Sequence, residues 1–372
     1  MFMRIEPYIA EHVPLVQALN ERLRRRGVGH QLTTEPQGSR ALTGIRNRVV
    51  HENYLVLEGN AARGGYTLIR QNAAILGQIR ELAFLQLPLS EGIIEQKYAS
   101  VGLLLLKDAM RRVPLLFGLG MGGLNQPLPK LFRILGAHIA EVSSFVRIRN
   151  ARSFLLNLQE LHRRPLPHIA ANIVAFSGLG QLCVTVLHTA KSWNRSSARG
   201  YAVERETHFG EWIDEIWDNS ASQYSMVAVR DRETLQYWYA HRGDWLHLLK
   251  VRRNGKAIGW AIVGDACLHG HKYFGDARLG SVVDSLALEG HEPEVIAAAT
   301  SYLEERGVDL IISNQSHPRW CAALVRSGYL KTRSNYLFAA APALRTVIAA
   351  GDPKLKLVHM TRGDGDSAYN LN

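Results

Sequence analysis

Proton transfer in a group-transfer reaction needs a titratable side chain held on a rigid element beside the reacting atoms. Among the strand carboxylates of this 372-residue sequence, two could take such a role. Glu81 lies in Arg80-Glu81-Leu82-Ala83-Phe84, and Asp284 in the apolar run Ser281-Val282-Val283-Asp284-Ser285-Leu286-Ala287-Leu288. Strand carboxylates are more often solvated or ion-paired than catalytic, so both are candidates only. A third feature could hold an anion. Lys97-Tyr98-Ala99-Ser100-Val101-Gly102 opens a segment, Tyr98 to Arg112, that reads as a helix. The free N–H groups of a helix N-terminus attract phosphate, and Lys97 adds a positive charge. The plainer reading is a surface lysine with Gly102 as a close-packing site. In the second half Glu289-Gly290-His291-Glu292-Pro293 opens the next predicted helix, and its two carboxylates would repel an anion.

Metal chemistry has little support. Cys267-Leu268-His269-Gly270-His271, with His291 and His317 further on, lacks the closed four-ligand spacing of a zinc site, so no metal is expected. A G-x-S-x-G elbow and a P-loop are missing. Gly118-Leu119-Gly120-Met121-Gly122-Gly123 has the letters of a dinucleotide loop but does not open directly into a helix, which is read only from Leu128, so it suits a close passage of the chain past a sheet.

The elements that must position these residues alternate between strand and helix. From Ser281 the sequence predicts a strand, a helix over Pro293 to Arg306 stopped by Gly307, and a buried β-branched strand over Val308 to Ser313. A helix over Pro318 to Ser327 and a last strand over Tyr336 to Ala340 follow. Leu246 to Arg252 and Ala257 to Val263 form a hairpin across Asn254-Gly255. The first half follows the same order. A strand at Met3 to Ile9 and a helix at Val13 to Arg26 lead to paired strands at Tyr54 to Glu58 and Gly65 to Arg70. More strand follows over Ala73 to Leu87, then the helix from Tyr98, a strand at Leu115 to Leu119, a helix at Leu128 to Leu135 and a strand at Ile139 to Ile148.

Two segments carry a family resemblance. Ala323-Leu324-Val325-Arg326-Ser327-Gly328-Tyr329 is similar to the helix ending "L-Y-x-K-x-G-F" of the GNAT (GCN5-related) acyltransferases. Asn125-Gln126-Pro127-Leu128-Pro129-Lys130-Leu131-Phe132-Arg133-Ile134-Leu135-Gly136 resembles the longer form, with Asn125, Leu131 and Gly136 matching. The family's tyrosine is replaced by Leu324 and Phe132. The resemblance implies an α/β fold of two GNAT-like domains, each a mixed central sheet flanked by helices: 1–150, then 205–345, joined by a helical linker (151–204) and followed by a tail (346–372), whose polar stretch Gly351 to Asn372 is expected to fray. It implies an acyltransferase using acyl-CoA as co-substrate, with Lys97, Ser100, Gly102 and Asn125 toward the cofactor in the first half. Glu81 and Asp284 become the acid–base candidates. Val229-Arg230-Asp231-Arg232-Glu233-Thr234-Leu235-Gln236-Tyr237-Trp238-Tyr239 resembles a segment of bacterial tandem proteins of this family, some tied to envelope assembly, which implies a small-molecule or envelope-precursor acceptor. A non-catalytic binding protein and an aminoacyl-tRNA-dependent transferase are the alternatives within the same fold.

Composition sets wider bounds. The chain is 47% hydrophobic and 21% charged, which suits a folded protein. Its net charge of +11 is spread along the sequence without a readout motif, so nucleic acid is disfavoured as a partner. Cys183, Cys267 and Cys321 form no disulfide framework, and no secretory leader is seen, so a cytoplasmic location is expected. Pro165 to Ala190 contains no Asp, Glu, Lys or Arg but is spotted with polar residues. It is expected to be helical, packed on protein or touching a membrane surface.

Overall fold

The computed structural model describes residues 3–36, 41–44, 48–150, 200–239, 243–270 and 275–365. The chain divides into two compact units. Unit 1 comprises Met1–Glu141, Ser225–Val229 and Asn335–Leu355; unit 2 comprises Val142–Tyr224, Arg230–Ser334 and Lys356–Asn372. The apolar stretch 165–190 and the linker of which it is part lie outside the described residues, apart from residues 200–204. Among the described residues, no helix is long and apolar enough to cross a membrane.

Unit 1 begins with β1 (Arg4–Pro7) and helix α1 (Val13–Arg25), whose buried Val16, Leu19 and Leu23 recur at helical spacing. A short β2 (Leu42–Thr43) edges β3 (Arg48–Glu58). Then β3, β4 (Ala61–Ile75) and β5 (Gln78–Ser90) form an antiparallel meander. The turn from β4 to β5 uses Leu76 and Gly77, both at positive φ, the geometry that matches strand twist in a two-residue hairpin. Helix α2 (Val101–Arg112) crosses over to β6 (Leu116–Gly120), which runs parallel to β5. Helix α3 (Pro127–Ile134) and β7 (His138–Glu141) follow. The core between sheet and helices includes Val56, Leu68, Leu85, Leu105, Leu116 and Phe132. Each such side chain contributes about 1.5–3 kcal/mol on burial.

Unit 2 contains β9 (Tyr201–Glu206), α4 (Trp212–Ser220), α5 (Arg232–Tyr239), β11 (Leu246–Arg253), β12 (Lys256–Cys267) and β13 (Arg278–Ala287). Helix α6 (Glu292–Glu305) then leads to β14 (Leu310–Gln315), parallel to β13, and α7 (Pro318–Arg326) to β15 (Leu330–Thr332). The β11–β12 turn holds Asn254 and Gly255 at positive φ, as the Asn-Gly pair predicts.

Each sheet is completed by a strand from the opposite half of the sequence. The single strand expected over Ile139 to Ile148 is two, parted at the buried Val142. The second, β8 (Ser143–Ile148), lies in unit 2 between β14 and β15. The strand expected to close the second domain is β16 (Leu337–Ala340), and it lies in unit 1 between β6 and β7. Helix α8 (Pro342–Ala349) and β10 (Met226–Ala228), which pairs with the end of β4, also belong to unit 1. The expected boundaries near 150 and 205 therefore do not follow the compact units. A four-residue strand buried along its length specifies a face and a depth but not its neighbours. The tail was expected to fray, yet His359 and Thr361 are fully buried in unit 2.

Candidate functional site

The two parallel strand pairs open into forks, and the sequence-predicted site residues fall around them. In unit 1, β5 and β6 pair only at Ala83 with Leu116 and at Phe84 with Phe117. Beyond that point β5 continues to Ser90, and among the described residues no strand pairs with it on the β6 side. Opposite Tyr66 on β4, β5 carries an extra residue, with Leu87 at φ 45°. A bulge of this kind bends the strand and re-aims its peptide groups. The parted edge offers a row of N–H and C=O groups to an extended amide-bearing chain, the same interaction that adds a strand to a sheet. Its walls are aromatic. Phe84 stacks on Phe117 at 5.3 Å, and Phe132 lies under Gly118, where an added Cβ would stand 2.9 Å from the ring. The exchanged strand brings Tyr336 beside Gly120.

The loop from β5 to α2 is an ion-pair knot. Glu91, fully buried, meets Arg22 at 2.5 Å and Arg63 at 2.9 Å, and Arg63 also reaches the buried Glu58 at 2.9 Å. Tyr98, buried beneath Arg63, donates to Glu58 at 3.2 Å. Burial alone would raise the Glu91 carboxyl, but the hydrogen bonds from Arg22 and Arg63 outweigh it and hold the group below its ordinary value. Sequence reasoning passed over Glu91 and Arg63, because nothing local in Ser90-Glu91-Gly92 announces two arginines brought in from α1 and β4.

Helix α2 begins at Val101, three residues later than expected, after a short 3-10 turn over Gln96–Tyr98. Lys97 sits in that turn, exposed, 2.9 Å from Glu95, whose hydrogen bond and charge raise its pKa. Ser100 is the exposed N-cap of α2 and makes no side-chain cap bond. Gly102 packs closely: a Cβ there would meet Leu131 at 3.2 Å. Asn125 is exposed in the turn before α3. Lys97, Ser100 and Gly102 thus share the α2 N-terminus, while Asn125 belongs to the β6–α3 turn. Glu81 lies on β5 three residues before the fork, bridged by Arg70 at 2.9 Å and Arg48 at 3.2 Å.

In unit 2, β13 and β14 pair from Leu279 with Leu310 to Val282 with Ser313 and then part. Here too the central strand carries an extra residue, Val283, opposite β12. Residues 356–364 lie across this fork. Thr361 bridges to Gln315, Ser316 N–H donates to Met360 C=O at 3.1 Å, and the His359 ring meets Ser285 C=O through Nε2 at 3.0 Å. Asp284 is buried, accepting from Arg230 at 3.0 Å, Thr361 at 3.0 Å and Tyr239 at 3.2 Å. Arg230 also pairs with Asp364 at 2.7 Å. At the N-terminus of α6, Glu289 pairs with Arg319 at 2.5 Å, and burial raises the Glu292 carboxyl. Among the described residues no group of side chains is arranged to hold a metal ion.

A strand–helix–strand–helix order around a forked central strand is the GNAT architecture, present here twice. Comparison with solved structures agrees. The fold resembles a GCN5-related N-acetyltransferase from Anabaena variabilis (TM-score 0.54, 9% identity, covering 94% of this chain and 74% of that one). It also resembles a probable N-acyltransferase from Enterococcus faecalis (TM-score 0.53, 11% identity, 93% and 74%). Saccharomyces cerevisiae N-myristoyltransferase, solved with bound myristoyl-CoA, is similar too (TM-score 0.52, 10% identity, 91% and 78%). No family model matches the sequence, and a search of curated proteins gives no match. The chain therefore has a tandem GNAT-like fold, with two sheets flanked by helices.

Proposed function

We propose that this chain transfers an acyl group from an acyl-CoA thioester to an amine or hydroxyl acceptor, with the donor in the fork of unit 1. One observation carries the choice of fork: the β5 edge beyond Phe84 is unpaired by any described strand, whereas the unit 2 fork is crossed by residues 356–364. The fold neighbours are named as N-acyltransferases, and one was solved with myristoyl-CoA. In this reading the pantetheine amides pair along Leu85 to Ser90, and the pyrophosphate lies at the α2 N-terminus, near Lys97, Ser100 and Gly102. Asn125 flanks the opposite side of the fork's mouth.

The acceptor nitrogen or oxygen attacks the thioester carbonyl carbon and loses a proton; the carbon–sulfur bond breaks, and the departing thiolate takes up a proton. Glu81 is the proposed base, through a water if the acceptor stands off from the strand. Glu81 is bridged by Arg48 and Arg70 but keeps a third of its side chain open to solvent, whereas Asp284 is buried with its oxygens engaged by Arg230, Tyr239 and Thr361, so the proposed role of Asp284 is to anchor unit 2. A small-molecule or envelope-precursor acceptor, met in the cytoplasm or at a membrane surface, fits the sequence resemblance. Titration calorimetry with acetyl-CoA, longer acyl-CoAs and free CoA tests the reading, followed by a thiol-release assay over a panel of amines. Binding of one CoA per chain is expected; absence of binding by every donor overturns it and leaves a binding or assembly role for the fold.

A further inference from the structure

The segment crossing the unit 2 fork is held in an unusual way. It comprises two residues of strand and one 3-10 turn (Arg362–Asp364), and beside the buried Val358 and Met360 it is held by a series of polar contacts. Thr361 and Asp364 reach the buried Arg230–Asp284 pair, Ser316 is bonded to Val358 and Met360, and His359 is bonded to Ser285. The His359 ring is fully buried, stacked on Tyr224 at 4.7 Å and on Trp320 at 5.6 Å, with His317 6.4 Å away. Its Nε2–H donates to the Ser285 carbonyl, so Nδ1 carries the lone pair, and Nδ1 has no partner among the described residues. Tyr224 and Trp320 bond each other at 3.1 Å, closing the wall.

We propose that residues 356–364 form a proton-released strap: protonation of His359 lifts the segment from the fork of unit 2 and opens the parted edge of β13. A second proton on His359 would need an acceptor at Nδ1, and none faces it. Every charged or titratable group around the ring bears on the outcome. Arg230 is fixed as a cation, and His317 would add a second positive charge on protonation. Tyr224 stays protonated because burial pushes its phenol up. Asp284 and Asp364 are committed to Arg230, Arg362 donates to Asn314, and Glu292, beside Tyr224, is drawn toward its neutral form by burial. Stacking on Tyr224 and Trp320 would favour an imidazolium by about 0.5–2 kcal/mol. Desolvating an unpaired charge opposes it by several kcal/mol, so the closed form keeps His359 neutral. Burial, then Arg230 and His317, depress its pKa, while the hydrogen bond to Ser285 opposes them more weakly.

The sign follows. A histidine whose pKa is depressed in the closed form favours closure above the open-form value, near 6.5, and loses that contribution as pH falls below it. Hydrogen exchange by mass spectrometry on the full chain, between about pH 8 and pH 5.5, tests this independently of any acyl donor. After correction for intrinsic exchange, amides of residues 357–363 should open about ten-fold more per pH unit below about 6.5, while β12 and β13 stay protected. His359→Phe keeps a ring for Tyr224 and Trp320 but takes no proton, so its strap exchange, slow or fast, should be independent of pH. Three results would overturn the proposal: a flat profile in the parent, strap exchange that rises only in step with β12, or an unchanged pH dependence in His359→Phe. Lack of CoA binding would sink the acyltransferase reading and leave this one standing.

Discussion

Arg63 Nη1 lies 2.9 Å from Glu91 Oε2, joining β4 to the first residue after β5 with a carboxylate that is fully buried. Removing one partner of a buried pair leaves the other unsatisfied. Glu91→Gln should destabilise the protein by about 2 kcal/mol, less than a fully buried pair because Arg22 and Arg63 keep some contact with water. Urea unfolding measures it. The Glu91 pKa is lowered in the fold, so its contribution is present above the ordinary glutamate value and fades as pH falls through the folded one. The stability of the parent should therefore fall more steeply than that of the variant below about pH 4.5. Parallel curves would show the pair to be neutral.

Charge reversal separates the two helix N-termini. Lys97→Glu should weaken CoA binding roughly ten-fold by calorimetry, with little change in turnover at saturating donor. Glu289→Gln, at the equivalent place in unit 2, should leave the affinity unchanged. An unaltered affinity in Lys97→Glu moves the pyrophosphate away from α2.

The two strand carboxylates should part company on substitution. Glu81→Gln is expected to lower turnover by about 10²–10⁴-fold with a small change in melting temperature. Asp284→Asn, which strips Arg230 of one of its two buried counter-charges, is expected to destabilise by about 3 kcal/mol, and any loss of activity should track loss of folded protein. The reverse pattern, a stable but inactive Asp284→Asn, would reassign the base.

Space beside the unit 1 fork is tight at Gly118. An alanine Cβ there would stand 2.9 Å from the buried Phe132 ring and 3.3 Å from Met121 Sδ. Gly118→Ala should lose about 1–3 kcal/mol of stability through forced repacking. Gly255→Ala, where open space surrounds the site but φ is +80°, should lose about 1 kcal/mol through backbone strain alone. Equal losses by the same unfolding assay would mean that Phe132 yields freely.

Periodicity and punctuation made most elements legible in the sequence. Pro293 and Gly307 bracket α6 to within a residue or two, and Asn254-Gly255 places the β11–β12 turn where it falls. The unit 2 fork follows from strands placed within a few residues, whereas the run Ala73 to Leu87 takes in the end of β4, the Leu76–Gly77 turn and most of β5. What stayed hidden depends on distant partners. Leu337 to Ala340 reads as a buried strand in any sheet, so its place between β6 and β7 leaves no local mark. Asp284 reads the same whether it faces a substrate or Arg230. The polar tail suggested fraying because its anchors, Arg230 and Ser285, lie more than seventy residues upstream. Glu91 shows the same limit, since its neutralising arginines come from other elements.

The exchange of β8 and β16 has a consequence during synthesis. Unit 1 has made its first seven strands by Glu141, but the slot between β6 and β7 stays vacant until Leu337 to Ala340 leave the ribosome. Roughly two hundred residues separate those points, about 10–40 s at ordinary elongation rates. For that interval the nascent chain carries an unfilled groove with hydrogen-bonding edges on both sides, a natural target for a chaperone. A fragment ending near residue 150 would never fill it, and should be rescued in trans by a peptide spanning residues 335–350.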